Sequence, residues 1–487
     1  MNIRAGSKGR AGSSGTGFAE GRPGGPERAL LVGVSWERGG RLSPEERMAE
    51  LRELARSAGA QVVGEVRQRR GRPDAATLIG PGKVQEVAEA RQRLEADVVI
   101  FDRDLTPAQQ RNLERAIGGK VIDRTQLILD IFAARARTRE GQLQVELAQL
   151  QYLLPRLAGM GEALSRLGGG IGTRGPGETR LEVDRRRIRR RIAELRRLLA
   201  EIRRHRQTQR KGRQRAGLPV VALVGYTNAG KTTLHAALVR RFGSPAPGTV
   251  TTGRDRLFDT LDPTVRRVEW PGLGPVLVAD TVGFIHDLPP HLIAAFRATL
   301  EEVLEADLLL HVVDVSQPRW PVDAETVEGI LHDLGATQPR LLVMNKIDRL
   351  AAGDPGAPAD HRAATNGAGP SDGGEAAAVE EAELAVTGEG ASRRTAVRVS
   401  ALTGRGFDQL VEAVAASLSH GRRRVDVEVP YDRPDLRARV HAAGSVFAET
   451  AGEQGWRLRV LLPAADVGRL ERAGCRVEPG GEGGAGE

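Results

Sequence analysis

The residues best placed to do chemistry in this 487-residue chain are Gly225-Tyr226-Thr227-Asn228-Ala229-Gly230-Lys231-Thr232. They follow a short apolar run, Val220 to Val224, and lead into a helical segment beginning Thr233-Leu234-His235. A strand, then GxxxxGK[ST], then a helix is the setting in which a glycine-rich loop wraps a phosphate chain with its backbone N–H groups. The helix N-terminus adds partial positive charge. In this reading Lys231 reaches the β- and γ-phosphates and the Thr232 hydroxyl ligates magnesium. Alone, such a loop implies only a nucleotide, and its plain alternative is a glycine turn.

Further segments, in order, narrow the nucleotide to a guanine nucleotide. Asp280-Thr281-Val282-Gly283 closes the apolar run Val276 to Ala279. Its carboxylate is expected to hold magnesium through water and its Gly283 N–H to meet a γ-phosphate. Asn345-Lys346-Ile347-Asp348 ends another strand, Arg340 to Met344. A carboxylate there accepts from the N1–H and exocyclic amine of guanine, donors that adenine lacks. Ser400-Ala401-Leu402, after Val397 to Val399, is expected to bring backbone N–H groups to the base carbonyl. Each short segment is weak by itself. Their order, each at a strand end, carries the argument.

The element between the phosphate loop and Asp280 is best matched by Leu257-Phe258-Asp259-Thr260-Leu261-Asp262-Pro263-Thr264. A threonine hydroxyl here would complete the magnesium shell only when the γ-phosphate is present, which is how a switch loop is ordered and released. Thr260 and Thr264 both qualify by chemistry, and spacing does not choose. After Gly283, many GTPases carry a glutamine that orients the attacking water. This chain has Phe284 and Ile285, which cannot do so. Hydrolysis is therefore expected to be slow alone and to depend on a partner, unless Phe284 only packs the switch and another polar residue serves.

Composition points to a nucleic-acid-facing protein of a reducing compartment. Lys and Arg number 72 against 63 Asp and Glu, a net charge of +9, and the single Cys475 excludes an intramolecular disulfide. No apolar run is long enough for a transmembrane helix. Met1 to Pro26 is rich in Gly, Ser and Arg without an apolar stretch, and reads as a disordered basic arm rather than a signal peptide.

The positive charge is concentrated between Arg185 and Arg215, where only Glu194 and Glu201 oppose a dense run of arginines. Within it Leu181, Ile188, Leu195 and Ile202 repeat every seventh residue with Ile192 and Leu199 between, a coiled-coil seam. Leu143, Leu147, Leu150, Leu154 and Leu157 carry the same spacing upstream, so two helices are expected to pack antiparallel, with Pro155 kinking the first near its end. The loop between them, Gly168 to Arg180, is mostly glycine and can approach another surface closely. Such a tip suits RNA, with Gly172, Arg174, Gly175, Gly177 and Arg180 as contacts; a solvated arginine face and a plain connector is the alternative. Aromatic residues are only 3%, which argues against base stacking as the main mode.

Before the hairpin, Ala29 to Ser35, Gln61 to Val66 and Asp97 to Asp102 read as strands. Helices open at Ser43-Pro-Glu-Glu and Thr106-Pro-Ala-Gln-Gln, predicting a small α/β domain with a mainly parallel sheet. Thr77 to Lys83 looks like a phosphate loop but lacks its four-residue gap and its Ser/Thr, and reads as a turn into a helix. After Arg424, strands at Val425 to Val429 and Leu458 to Leu462 flank a helix at Asp435 to Ala443, a small α+β unit.

Gly170-Ile-Gly-Thr-Arg-Gly-Pro-Gly-Glu-Thr-Arg-Leu-Glu182, with Asp184-Arg-Arg after it, resembles the hallmark of the HflX family of ribosome-associated GTPases. So do Asp123 to Phe132, Gly225 to Lys231 and Leu257 to Thr264. The resemblance runs from about Ala29 into the C-terminal region. It implies an α/β chain: an N-terminal α/β HflX domain with a long antiparallel helical hairpin, a Ras-like P-loop GTPase domain and a small α+β C-terminal domain. The expected divisions are a disordered arm at 1–28, a nucleotide-binding-like domain at 29–135, the basic hairpin at 136–215, and the GTPase domain at 216–420. A C-terminal domain at 421–478 and a disordered tail at 479–487 complete them.

The resemblance also implies binding of GTP and GDP with Mg2+, and of the large ribosomal subunit and its RNA, with splitting or rescue of stalled ribosomes. The glycine loop would approach the peptidyl-transferase region. It makes Thr260 the switch threonine, so that Lys231, Thr260 and Gly283 are the expected catalytic groups and Thr232 and Thr260 the metal ligands. A cytoplasmic monomer is expected, with peripheral membrane association left open. Departures from the family pattern are Asp259, His235-Ala236 and a Gly/Ala/Pro-rich acidic stretch, Ala351 to Ser392, expected to be a disordered insertion. Two rival readings are a GTP-dependent ribosome-assembly factor without useful turnover and an RNA- or tRNA-modification GTPase. The latter needs a catalytic thiol or cofactor site, for which Cys475 is a poor candidate.

Overall fold

The computed structural model describes residues 25–36, 42–157, 176–215, 218–243, 257–258, 260, 264–287, 302–350, 379–384, 392–419 and 422–479. The chain divides into two compact units, 1–134 with 155–178, and 135–154 with 179–487. Among the described residues no helix is long and apolar enough to cross a membrane.

The first unit is built on a parallel sheet of β1 (Arg28–Trp36), β2 (Gln61–Arg70), β3 (Val98–Phe101) and β4 (Lys120–Ile122), in the order β2-β1-β3-β4. The helices between them are α1 (Pro44–Ser57), α2 (Pro81–Arg93) and α3 (Pro107–Ile117), each opening with Pro in its first turn, where a missing N–H costs nothing. Ser43 and Thr106 close full capping boxes with Glu46 and Gln109. Gly80 is the N-cap of α2, and Leu78 before it is pinned to Asp74 by a two-way backbone bridge, so the Thr77–Lys83 stretch is a turn into a helix. Leu30, Val32, Ile79, Val99, Phe101 and Leu113 form the core. After β4, helix α4 (Arg124–Arg135) is buried along most of its length, Asp130 included.

In the second unit, α5 (Arg139–Arg156) and α6 (Pro176–Arg215) share an apolar seam: Leu143 and Leu147 of one with Ile192, Leu195 and Leu199 of the other, flanked by Leu150, Leu154, Ile188 and Ile202. Arg191 Nε meets Glu146 Oε1 at 2.7 Å and Arg206 Nη2 meets Glu140 Oε2 at 2.8 Å, so the pairing descends α5 as it ascends α6. Pro155 sits in the last turn of α5, which ends one residue later.

The seven-stranded sheet of this unit contains β5 (Val220–Val224), β6 (Thr264–Trp270), β7 (Gly274–Asp280), β8 (Leu308–Asp314), β9 (Arg340–Asn345), β10 (Val379–Leu384) and β11 (Ser392–Arg398). Its order is β10-β11-β9-β8-β5-β7-β6. Interior pairs are parallel and both edge strands antiparallel. Helices α7 (Lys231–Phe242), α8 (Trp320–Asp333) and α9 (Phe407–Ser419) accompany it. Val221, Leu223, Leu234, Trp270, Val278, Leu310, Val343 and Val397 belong to one continuous core. The β10 strand corrects one expectation: Ala351 to Ser392 is not irregular throughout, because Val379–Leu384 pairs residue for residue with β11. Composition hid it, since an edge strand gains its stability from ladder hydrogen bonds rather than from an apolar pattern.

The C-terminal sheet, β13 (Ser445–Ala451), β14 (Gly455–Pro463), β12 (Arg422–Pro430) and β15 (Arg476–Pro479) in that order, is antiparallel and accompanied by α10 (Pro434–Ala443) and α11 (Ala464–Arg472). Leu458, Val460 and Leu462 of β14 join the cluster of Leu436, Val440 and Leu470 from the helices. Leu461, on the opposite face, is 3% exposed and belongs to the core of the seven-stranded sheet, against which Phe447 also packs.

Candidate nucleotide and metal site

The strands that end in functional residues lie side by side, so their C-terminal ends deliver the loops to one place, as in other open α/β sheets. Asn228, Gly230, Lys231, Thr232, Thr260, Gly283, Asn345, Asp348, Ala401 and Leu402 all line one cavity of about 300 Å³, together with Thr227, Phe258, Thr281 and Lys346. Gly225, Tyr226, Ala229, Asp280, Val282, Ile347 and Ser400 stand behind that lining. Gly225 has φ +150, and a Cβ there would fall 2.2 Å from the Val312 carbonyl oxygen, so the loop can pass β8 only with glycine.

Lys231 is buried, and its Nζ donates to the carbonyls of Gly225 at 2.9 Å and Tyr226 at 2.8 Å. Burial pushes its pKa down to about 8, against the pull of Asp280. Thr232 Oγ1 lies 2.8 Å and Thr260 Oγ1 2.7 Å from the same Asp280 Oδ2, and the two hydroxyls are 2.6 Å apart. Asp280 Oδ1 is buried and has no hydrogen-bond partner among the described residues. Three hard oxygen ligands and one unsatisfied carboxylate oxygen are a donor set that fits magnesium. Thr264, the alternative that spacing left open, is the exposed first residue of β6.

Gly283 closes the front of the loop: a Cβ would lie 2.7 Å from Thr227 Cγ2, 2.8 Å from Thr227 Cα and 3.0 Å from Lys231 Nζ. Phe284 is 2% exposed, its N–H donating to Gly225 O at 3.2 Å and its carbonyl accepting from Thr227 N at 2.8 Å. The side chain that follows Gly283 is therefore packing material and is not aimed at the cavity.

At the other end, Asn345 Nδ2 donates to Ala229 O at 2.9 Å and Asn345 Oδ1 accepts from Ala401 N at 3.0 Å, tying the phosphate loop to the segment after β11. Lys346, at φ +66, reaches Asn228 O at 2.8 Å and Asp314 Oδ2 at 2.7 Å. Asp348 Oδ1 accepts from Ser400 Oγ at 2.6 Å, which orients the carboxylate expected to read guanine. Leu402 is 79% exposed at the rim. Asp259, Leu261 and Asp262 lie outside the described residues, as do Gly172, Arg174 and Gly175. Gly177 and Arg180 fall in α6, where only the backbone is described.

Sequence reasoning missed three contributors. Thr233 and Arg349 line the cavity, each next to a motif residue, a position that could have flagged them. Asp314 ends β8 and anchors Lys346; only strand order reveals it. His235, noted as a departure, is buried with Nε2 3.2 Å from Val278 O, and burial lowers its pKa.

Three family models match the chain in succession. They describe a GTP-binding GTPase N-terminal region over residues 45–133, a GTP-binding GTPase middle region over 135–213 and a 50S ribosome-binding GTPase over 220–346. GTPase HflX of Caldanaerobacter subterraneus subsp. tengcongensis is 44% identical over 432 residues, 88% of this chain and 89% of that protein. GTPase HflX of Escherichia coli K12 is 40% identical over 455 residues, 93% of this chain and 96% of the other. A solved GTP-binding protein from the hyperthermophilic archaeon Sulfolobus solfataricus, in complex with GDP, aligns with 81% of this chain and 99% of its own at 23% identity and a TM-score of 0.40. Identity at this level over nearly the whole length means that the chain belongs to the HflX family of GTPases.

Proposed function

We propose that this GTPase works with magnesium on the large ribosomal subunit, where GTP holds a bound state that hydrolysis ends, and that its task is to split or rescue stalled ribosomes. One observation carries the catalytic part: Thr232, Thr260 and Asp280, from three separate segments, bring their oxygens within 2.8 Å of one another beside Lys231. Thr260 is the threonine that a γ-phosphate would recruit. Lys231 is held by two loop carbonyls and would exchange them for β- and γ-phosphate oxygens, which offer its buried cation a full counter-charge. The Gly283 N–H would meet the γ-phosphate, and the small residue is needed because Thr227 leaves no room for more. Magnesium, when bound, neutralises charge on the β- and γ-phosphates.

Phe284 is turned inward, so the chain lacks a side chain at that position to orient water. Slow intrinsic turnover and stimulation by a partner follow from this. The arginine-rich α6 and the glycine-rich segment at its start supply sequence-independent affinity for RNA phosphate, which suits ribosomal RNA. The 50S ribosome-binding description of the matching model supports the same partner. A monomer working in the cytoplasm is part of this reading.

The test is steady-state GTP hydrolysis with and without purified large subunits at matched salt, beside a splitting assay on intact ribosomes. Strong stimulation with splitting is expected. Unstimulated hydrolysis without subunit binding would move the basic hairpin to another RNA. Stimulated subunit binding without turnover would favour a binding-only assembly factor.

A further inference from the structure

The loop that follows Gly283 is fastened to two other elements by a residue the phosphoryl chemistry does not use. His286 is 4% exposed, and its backbone N–H donates to the Tyr226 hydroxyl oxygen at 3.1 Å. Its ring lies 5.1 Å from the Tyr226 ring. On the far side, Nε2 is 3.0 Å from Asp323 Oδ1 and Nδ1 is 3.0 Å from Thr326 Oγ1, both on α8. Asp323 also takes Arg319 Nε at 3.3 Å, and the Arg319 guanidinium sits 5.6 Å over the Tyr226 ring. A carboxylate only accepts, so Nε2 is the donor to Asp323. Tyr226 is the second residue of the phosphate loop, so one buried cluster joins that loop, the segment carrying Gly283 and the first two turns of α8.

We propose that His286 is a positioning residue for GTP hydrolysis: clasped by Asp323 and Thr326, it holds the Gly283 segment against the phosphate loop. The physical reason is reach. Only Phe284 and Ile285 separate His286 from Gly283, so fixing both Phe284 and His286 leaves the Gly283 peptide little freedom. An N–H prepositioned for a γ-phosphate loses less entropy when it binds one. GDP has no γ-phosphate and gains nothing from the clasp. The cluster therefore favours the triphosphate and its hydrolysis, and it makes α8 a surface that senses the loop.

This inference rests on the GTPase reading, and the experiment separates the two. Single-turnover GTP hydrolysis and the Kd values of GTP and GDP are measured for the full chain and for His286→Ala, His286→Gln, Thr326→Val and Asp323→Asn. The expected result is about a tenfold loss of turnover in His286→Ala with GDP affinity changed less than about twofold. His286→Gln, whose amide nitrogen stands near the place of Nε2, should recover most of that loss. His286→Ala and Asp323→Asn combined should lose no more than the larger single loss, as expected for one coupled unit. Turnover equal to the parent in His286→Ala overturns the proposal. So does a parallel fall in GDP affinity, or a glutamine variant as impaired as alanine. If His286→Ala does not fold, His286→Gln against Thr326→Val decides, because Val fills the threonine's volume without its hydroxyl. A parent chain that hydrolyses no GTP would instead sink the reading beneath it.

Discussion

Asp130 is a carboxyl group buried in α4 with one oxygen, Oδ2, that has no hydrogen-bond partner among the described residues. Burial pushes its pKa from 3.8 up to about 7, with Lys120 pulling it down and Glu27 and Asp123 pushing it further up. Between those two values the folded chain keeps a proton that the unfolded chain has released. Stability contributed at this site is therefore fully present below about pH 4 and is lost as pH rises towards 7. The full difference is about 4 kcal/mol, since each pKa unit is worth about 1.4 kcal/mol. Replacing Asp130 by Asn removes the titration but buries an amide with no assured partner, which costs about 1 kcal/mol. The two stability profiles should then cross: the variant is less stable near pH 4 and more stable by about 1–3 kcal/mol near pH 8. Hydrogen exchange of α4, corrected for intrinsic rates and followed across that range in both proteins, reads this directly. Parallel profiles would refute the reasoning, because they would mean that Asp130 ionises in the folded chain as easily as in the unfolded one.

Other expected outcomes follow from the site and the hairpin. Gly283→Ala drives a methyl group into Thr227 and towards Lys231; GTP turnover should fall about tenfold or more while GDP binding persists, as read by single-turnover kinetics and nucleotide titration. Lys231→Ala should abolish GTP-dependent binding to ribosomes in a pelleting assay; retained GTP dependence would remove Lys231 from its assigned place. Leu195→Ala empties a fully buried position in the seam between α5 and α6; it should cost roughly 2–5 kcal/mol locally, seen as faster exchange in both helices with GTP affinity unchanged. Deleting Gly168 to Gly177 should leave intrinsic hydrolysis intact and impair splitting. Splitting at the parental rate would make that segment a connector.

The site was legible in the sequence because its chemistry sits at strand ends, where short motifs and apolar runs meet. The phosphate loop, Asn345, Asp348 and Ala401 come to one cavity for that reason, with Asp280 just behind its lining. Choosing Thr260 over Thr264 needed either the family resemblance or coordinates, since both hydroxyls have the right chemistry and only one stands beside Thr232. The clasp of His286 to Asp323 joins residues 37 apart, a contact that neither periodicity nor motif encodes. Lys346 and Asp314 are brought together by β8 and β9 being neighbours, which is a matter of strand order. Heptad spacing marked Leu143, Leu147, Ile192 and Leu195 as a seam, because a repeat of seven already specifies which face is buried. The β10 strand was invisible in a stretch whose composition says only that it is polar and glycine-rich.

The apolar core around the seven-stranded sheet includes Leu461, and Phe447 packs against it so closely that a Cβ on Gly274 would fall 2.3 Å from its ring. A chain made from its N-terminus has all seven strands of that sheet by Arg398, but this core receives its last residues only when Leu461 has been added. At about 5–20 residues per second, translation leaves an interval of roughly 3 to 13 s before Phe447 and Leu461 complete that core. During its own synthesis the protein is thus exposed to the hazard of incomplete burial, and slower elongation across residues 399–461 lengthens that exposure. Synonymous codon changes in that stretch should alter the yield of native protein without altering a single contact in it.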